Sequence, residues 1–193
     1  MNFLAHLHLA HLANSSLLGN LMADFVRGAP HQHWPEPVAD GILMHRRLDV
    51  MTDALPEVRA ARQLFRVETY RVAPITLDVI WDHFLARHWD RVHPSQTLQT
   101  FTARAEREIV PQLAATPEEF KELNAVMWRE RWFEHYADPL RLERVLNGMA
   151  RRRPRLAALS DSYQDFTAHY PAFEACFFQF YPRLMQLAAS RQL

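Results

Sequence analysis

One cysteine, Cys176, is present in 193 residues, which excludes an intramolecular disulfide and fits a reducing compartment. Glycine is nearly as scarce. Four glycines against twelve prolines leave no Gly-rich phosphate loop and no Walker-type sequence, and they argue against a turn-dense β-sandwich. Lys121 is the only lysine, and Lys+Arg and Asp+Glu balance at 22 each, so the chain as a whole has no field that would draw nucleic acid. No apolar run approaches the roughly 18 residues that span a bilayer. The first residues, MNFLAHLHLAHLA, lack the basic stretch of a secretory signal. With 49% hydrophobic and 23% charged residues, the composition is that of a globular protein. The expectation is a cytoplasmic protein that engages neither membrane nor nucleic acid.

What is present is helical periodicity. Val38, Ile42, Leu48 and Met51 predict a helix over 38–52, with Pro37 suited to its first turn. A second is expected over 56–70, opened by Pro56. After Pro74, the residues Leu77, Ile80, Trp81, Phe84, Leu85 and Trp89 form a broad apolar stripe. Helices follow over about 97–113, from Pro117-Glu118-Glu119, over 138–151 and 154–168, and from about Pro171 to Ser190 with a kink at Pro182. The only strand candidate, Ala5 to Leu9, alternates for five residues, yet Leu4, Leu7, His8 and His11 also fit a helical face. The fold expected is all-α: one domain over 1–193, a bundle of eight to ten helices.

Histidine is the sharpest chemical signal. Nine of eleven lie in residues 1–93, together with Asp24, Asp40, Asp49, Asp53, Asp78, Asp82 and Asp90. In the segment 78–87, Asp78 and Asp82 share a helical face, with His83 about 100° round from Asp82. Carboxylates in such apolar company are costly unless paired or metal-bound. In the segment 44–53, His45, Asp49 and Asp53 recur every four residues, flanked by Arg46 and Arg47. Asp24 sits in an apolar stretch, and His6, His8 and His11 crowd the N-terminal segment. Each motif alone has a plain reading as helix-end acids, core histidines or a solvated Asp–Arg ridge. Taken together they offer imidazole and carboxylate donors without thiolate, a set suited to Mn²⁺, Fe²⁺, Mg²⁺ or catalytic Zn²⁺. Arginines beside such a centre point to a phosphate-bearing substrate and to phosphoester hydrolysis. A helical interaction module with structural histidines stands as the non-enzymatic alternative.

The stretches MNFLAHLHLAHLANSSLLGNLMADFVRG, GILMHRRLDVMTDALPEVRAAR, RVAPITLDVIWDHFLARHW and VLNGMARRRPRLAAL resemble the bacterial acyl carrier protein phosphodiesterase family across essentially the whole chain. That family looks like a divergent relative of the all-helical HD-type metal-dependent phosphohydrolases. The resemblance implies hydrolytic release of 4′-phosphopantetheine from holo-acyl carrier protein, with Mn²⁺ as the metal and Mg²⁺ or Fe²⁺ as substitutes. An HD-like enzyme acting on a nucleotide or another small phosphoester is the alternative.

HD-type sites use a His, an adjacent His-Asp pair and a distant Asp. Here the pair is reversed, Asp82-His83, preceded by His45 and Asp24. The ligand set this implies is Asp24, His45, Asp82 and His83, with Asp78 a further ligand or an orienting group. His6, Arg46 and Arg47 are expected to hold phosphate, and Asp49 and Asp53 to fix those arginines. The carrier protein is small and acidic, so a basic docking patch is expected, and Arg151, Arg152, Arg153 and Arg155 form the densest positive cluster. Those arginines equally suit the C-terminal end of a helix.

Overall fold

A computed structural model describes residues 1–193, and it contains helices and turns with no strand. In order they are α1 (Phe3–Ala13), α2 (Leu17–Met22), α3 (Glu36–Ala54), α4 (Pro56–Arg62), α5 (Ala73–Arg87), α6 (Trp89–Val92), α7 (Leu98–Ile109), α8 (Glu118–Arg129), α9 (Trp132–His135), α10 (Pro139–Arg152), α11 (Leu159–Ala168) and α12 (Tyr170–Ala189). Short 3₁₀ turns occupy Ala23–Phe25, Pro30–Gln32, Val110–Ala115 and Pro154–Leu156. Two of the twelve helices, α6 and α9, are single turns, and the other ten match the expected bundle. No helix is long and apolar enough to cross a membrane.

The centre of the bundle is α1, which packs against α2, α5 and α12. Its residues from Leu4 to Ala10 are all buried, seven in succession. A helix covered on every side needs no polar stripe. That is why the same residues could be read as a short alternating strand. Its neighbours α5 and α12 are joined by an aromatic layer in which Trp81 meets Phe180 edge-on at 5.1 Å and Phe84 lies 6.1 Å from Phe177. Offset and edge-on contacts of this kind add to the area that such side chains bury. α12 runs on through Pro182.

Some polar residues of this core pair with one another. His8 on α1 has Nδ1 at 2.9 Å from the Tyr181 hydroxyl and Nε2 at 3.1 Å from His93 Nδ1. Burial pushes the His8 pKa down to about 3, so its ring is a neutral part of the core. His11 stays at the edge of the same group, beside Arg104. The helix expected over 56–70 stops at Arg62. Beyond it, Arg66 Nε donates to buried Asp165 at 2.7 Å, as does the Thr69 hydroxyl at 2.6 Å, and Phe65 packs on Phe173. These contacts hold the chain out of helical register.

α2 and α3 pack closely because their crossing is built on two glycines. A methyl group on Gly19 would collide with the backbone carbonyl of Val38, and one on Gly41 would lie 2.9 Å from the Ser16 carbonyl oxygen. Gly19→Ala must push α2 off α3, an overpacking expected to cost about 1–3 kcal/mol. Urea denaturation measures this, and an unchanged midpoint would refute so close an approach.

Candidate metal centre

Three helices converge on one polar cluster. α1 supplies His6, α3 supplies His45 and Asp49, and α5 supplies Asp78 and Asp82. The ligand atoms of His6, His45 and Asp49 lie within 4.8 Å of one another. The two imidazoles are stacked, with ring centroids 3.6 Å apart and 18° between their planes. His45 Nδ1 lies 2.8 Å from the carbonyl of Asn20, an acceptor that keeps a proton on that nitrogen. Its Nε2 then faces Asp24 Oδ1 at 3.3 Å and Asp49 Oδ2 at 3.2 Å, yet makes a well-aligned hydrogen bond to neither. His6 Nε2 is 3.1 Å from Asp49 Oδ1 and 3.1 Å from the Met1 carbonyl, and its Nδ1 is buried without a partner.

The carboxylates form the open side. The side chains of Asp24, Asp49 and Asp78 are 67%, 38% and 37% exposed, against 1% and 3% for His6 and His45. The Met1 ammonium bridges Asp49 Oδ1 at 3.1 Å and Asp78 Oδ1 at 2.8 Å.

The charges follow from these contacts. Burial disfavours a charged His45, but Asp24 and Asp49 outweigh it and raise its pKa to about 9. Burial wins at His6 and lowers its pKa to about 4, helped by the neighbouring positive charges of His45 and the ammonium. At Asp49 burial favours the neutral acid, but His45, His6 and the ammonium hold it far below the ordinary carboxylate range. Asp24 is held low mainly by His45. At neutral pH the cluster is therefore a cationic His45 between two carboxylates, with a neutral His6 stacked on it.

This arrangement fits a divalent ion. Two imidazole nitrogens lack hydrogen-bond partners, hard carboxylate oxygens converge on one of them, and the other nitrogen of His45 is anchored to a backbone carbonyl as in metal-bound histidines. His6, His45 and Asp49 would hold the ion, with Asp24 completing the open side.

Several residues expected at the site lie elsewhere or do other work. Asp82 is close by but occupied: its two carboxylate oxygens accept from the amides of Leu4 at 2.8 Å and Ala5 at 2.9 Å, capping α1. His83 is turned to the other side of α5, with Nδ1 2.8 Å from the Tyr136 carbonyl and Nε2 3.0 Å from the Tyr170 hydroxyl. The two neighbours therefore face different partners, and both are engaged away from the His6–His45–Asp49 group. Asp49, expected to fix arginines, instead sits at the heart of the cluster. Arg46 donates to the carbonyls of Gly28 and Val26, and Arg47 to that of Leu193. Asp53 is exposed and outside the group. The signal for Asp49 was its four-residue spacing from His45, which a solvated ridge shares.

The arginine run lies where α10 ends. Arg151 and Arg152 are in its last turn, while Arg153 and Arg155 join Arg71, Pro154 and Leu156 around an open cleft of about 460 Å³. Arg71 lies two residues before α5, the helix that carries Asp78 in its second turn.

The family profile described as acyl carrier protein phosphodiesterase matches residues 1–184. A protein of Klebsiella pneumoniae subsp. pneumoniae, named acyl carrier protein phosphodiesterase, is 59% identical over 193 residues, covering all of both chains. One of Salmonella dublin with the same name is 60% identical over the same span. No solved structure matches the chain.

The capping role of Asp82 can be tested directly. Asp82→Asn leaves one acceptor oxygen for two buried amides, and the unpaired group should cost about 1–3 kcal/mol. Urea denaturation of the metal-free protein should show this loss; an unchanged midpoint would mean that α1 does not rely on Asp82.

Proposed function

This chain belongs to the acyl carrier protein phosphodiesterase family, and we propose that it hydrolyses the phosphodiester joining 4′-phosphopantetheine to the serine of holo-acyl carrier protein, leaving the apo-protein. The observation that carries this reading is the buried Nε2 of His45, unpartnered and facing Asp24 and Asp49 beside His6. A divalent ion, Mn²⁺ in the first place and Mg²⁺ or Fe²⁺ as substitutes, would supply positive charge at the phosphoryl oxygen and a more acidic water.

The chain's own groups account for the rest. His6 and His45 form the dry floor of the centre, and the three aspartates form a rim open to substrate. The lowered pKa values of Asp24 and Asp49 keep both carboxylates ionised across the physiological range. Burial raises the pKa of Asp78 against the opposing pull of the ammonium. That makes Asp78 the rim carboxyl best suited to exchange a proton with water or the leaving serine. It also orients Asp49 through the ammonium they share.

The deciding experiment incubates purified protein with holo-acyl carrier protein and Mn²⁺ and follows the carrier's mass. Loss of the phosphopantetheine arm is expected, and chelation of the metal should abolish it. His45→Gln and Asp49→Asn should each remove turnover while helical content stays near native. An intact carrier after long incubation with metal-loaded protein would overturn the reading. Hydrolysis of a nucleotide instead would transfer the site to small phosphoesters.

Metal binding should also depend on pH with a definite sign. His45 must give up its Nε2 proton to become a ligand, and its pKa in the metal-free protein is raised to about 9. His6, with its pKa lowered to about 4, has no proton to lose near neutrality. Mn²⁺ affinity should therefore rise about tenfold per pH unit from pH 6.5 to 8.5, with one proton released per ion. Titration calorimetry in buffers of different ionisation enthalpy measures both. A flat profile would show that His45 is not a ligand.

Docking of the acidic carrier is proposed at the cleft of Arg71, Arg153 and Arg155. No carboxylate lines it, and Arg71 ties it to the end of α5 that leads to Asp78. Rim charges act mainly on association and are screened within about 8 Å at physiological salt. Reversing Arg153 and Arg155 to Glu should raise KM for the carrier severalfold and leave kcat largely intact. An unchanged KM with a normal salt response would return the run to its place at the end of α10.

A further inference from the structure

Arg46 follows His45 on α3, but its side chain reaches away from the cluster to the segment that carries Asp24. Nη1 donates to the Gly28 carbonyl at 2.8 Å and Nη2 to the Val26 carbonyl at 2.6 Å. These acceptors lie four and two residues beyond Asp24, where the chain leaves the Ala23–Phe25 turn and reverses at Gly28, whose φ is +74°. Apolar packing also holds the turn, with Ala23 buried and Phe25 and Val26 against the core, but no other side chain hydrogen-bonds its carbonyls. Phe25 meets Phe120 edge-on at 5.4 Å, and the Val26 amide donates to the Ala23 carbonyl at 3.2 Å. Asp24 itself is largely exposed, and its charged partner is His45. An exposed carboxylate on a three-residue turn is free to swing unless the backbone beneath it is held.

We propose that Arg46 is a positioning residue: its two hydrogen bonds hold the Asp24 turn against α3 and thereby set the divalent-ion affinity of the His6–His45–Asp49 centre. The inference rests on the metal-centre reading given above. Both bonds are charge-assisted, and a planar guanidinium can grip two carbonyls at once where an ammonium acts as a point charge. Without the grip, each binding event must first order the turn, and that entropy is subtracted from the affinity. Outer groups that orient metal ligands typically alter affinity by about 10–100-fold.

The test titrates Mn²⁺ into chelator-treated full-length protein by calorimetry. Arg46→Ala should weaken binding by about 10–100-fold, and Arg46→Lys should fall between that variant and the wild type. Because Arg46 acts through Asp24, its removal should matter little once that ligand is gone: in an Asp24→Asn background, Arg46→Ala should change affinity by less than about twofold. Equal affinity in the wild type and Arg46→Ala would overturn the proposal. So would an undiminished effect in the Asp24→Asn background, which would mark Arg46 as a general structural residue. Should Arg46→Ala not fold, Arg46→Lys and Arg46→Gln carry the same comparison. A wild type that binds no Mn²⁺ would instead overturn the metal centre itself, and this inference with it, which separates the two failures.

Discussion

The contact on which the site depends is the carboxylate of Asp82 against the first amides of α1. A helix begins with donors that have no partner inside it, and α1 begins in the middle of the protein, where water cannot serve them. Asp82 on α5 satisfies the amides of Leu4 and Ala5 at once. That contact fixes α1 along α5. One turn back on α5, Asp78 meets the Met1 ammonium, and near the start of α1 the ring of His6 stacks on His45 of α3. The cap is itself under tension between opposing forces. Burial raises the Asp82 pKa to about 7 while both amides pull it down.

The electrostatics of the cluster run on the same logic. Two imidazoles lie in contact, and only one can carry charge. The one between Asp24 and Asp49 keeps its proton and the one deeper in the core stays neutral. Exposed carboxylates over buried imidazoles leave one open direction, toward solvent. The centre is thus rigid at its floor and depends at its rim on a short turn tied down from α3.

Much of the fold is legible in local chemistry. The acidic, proline-led start of α8 and the stripe of α5 are visible because exposed and half-buried helices carry a polar face. α1 is not, because a helix buried all round shows no stripe. The overrun at 63–70 has a similar cause, since Arg66 and Thr69 are held by Asp165, about a hundred residues away. At the site, His6, Asp24 and His45 could be singled out as acids and imidazoles in apolar or crowded segments. Asp49 reads as a partner for arginine, because a ridge of His and Asp beside two arginines looks the same whether it faces solvent or a cluster.

Local pattern and composition are enough for an all-helical chain, for its inventory of imidazole and carboxylate donors and their concentration in the first half, and for excluding a phosphate loop. Which of these donors meet depends on how the helices pack. Adjacency along a helix separates side chains by about 100°, so Asp82 turns to α1 and His83 to the far side of α5. Groups far apart in the chain, His6 on α1 and Asp49 on α3, come together because the buried amides of α1 find acceptors on α5 and α3 is seated against α2 at two glycines. No spacing within one helix encodes the crossing of two.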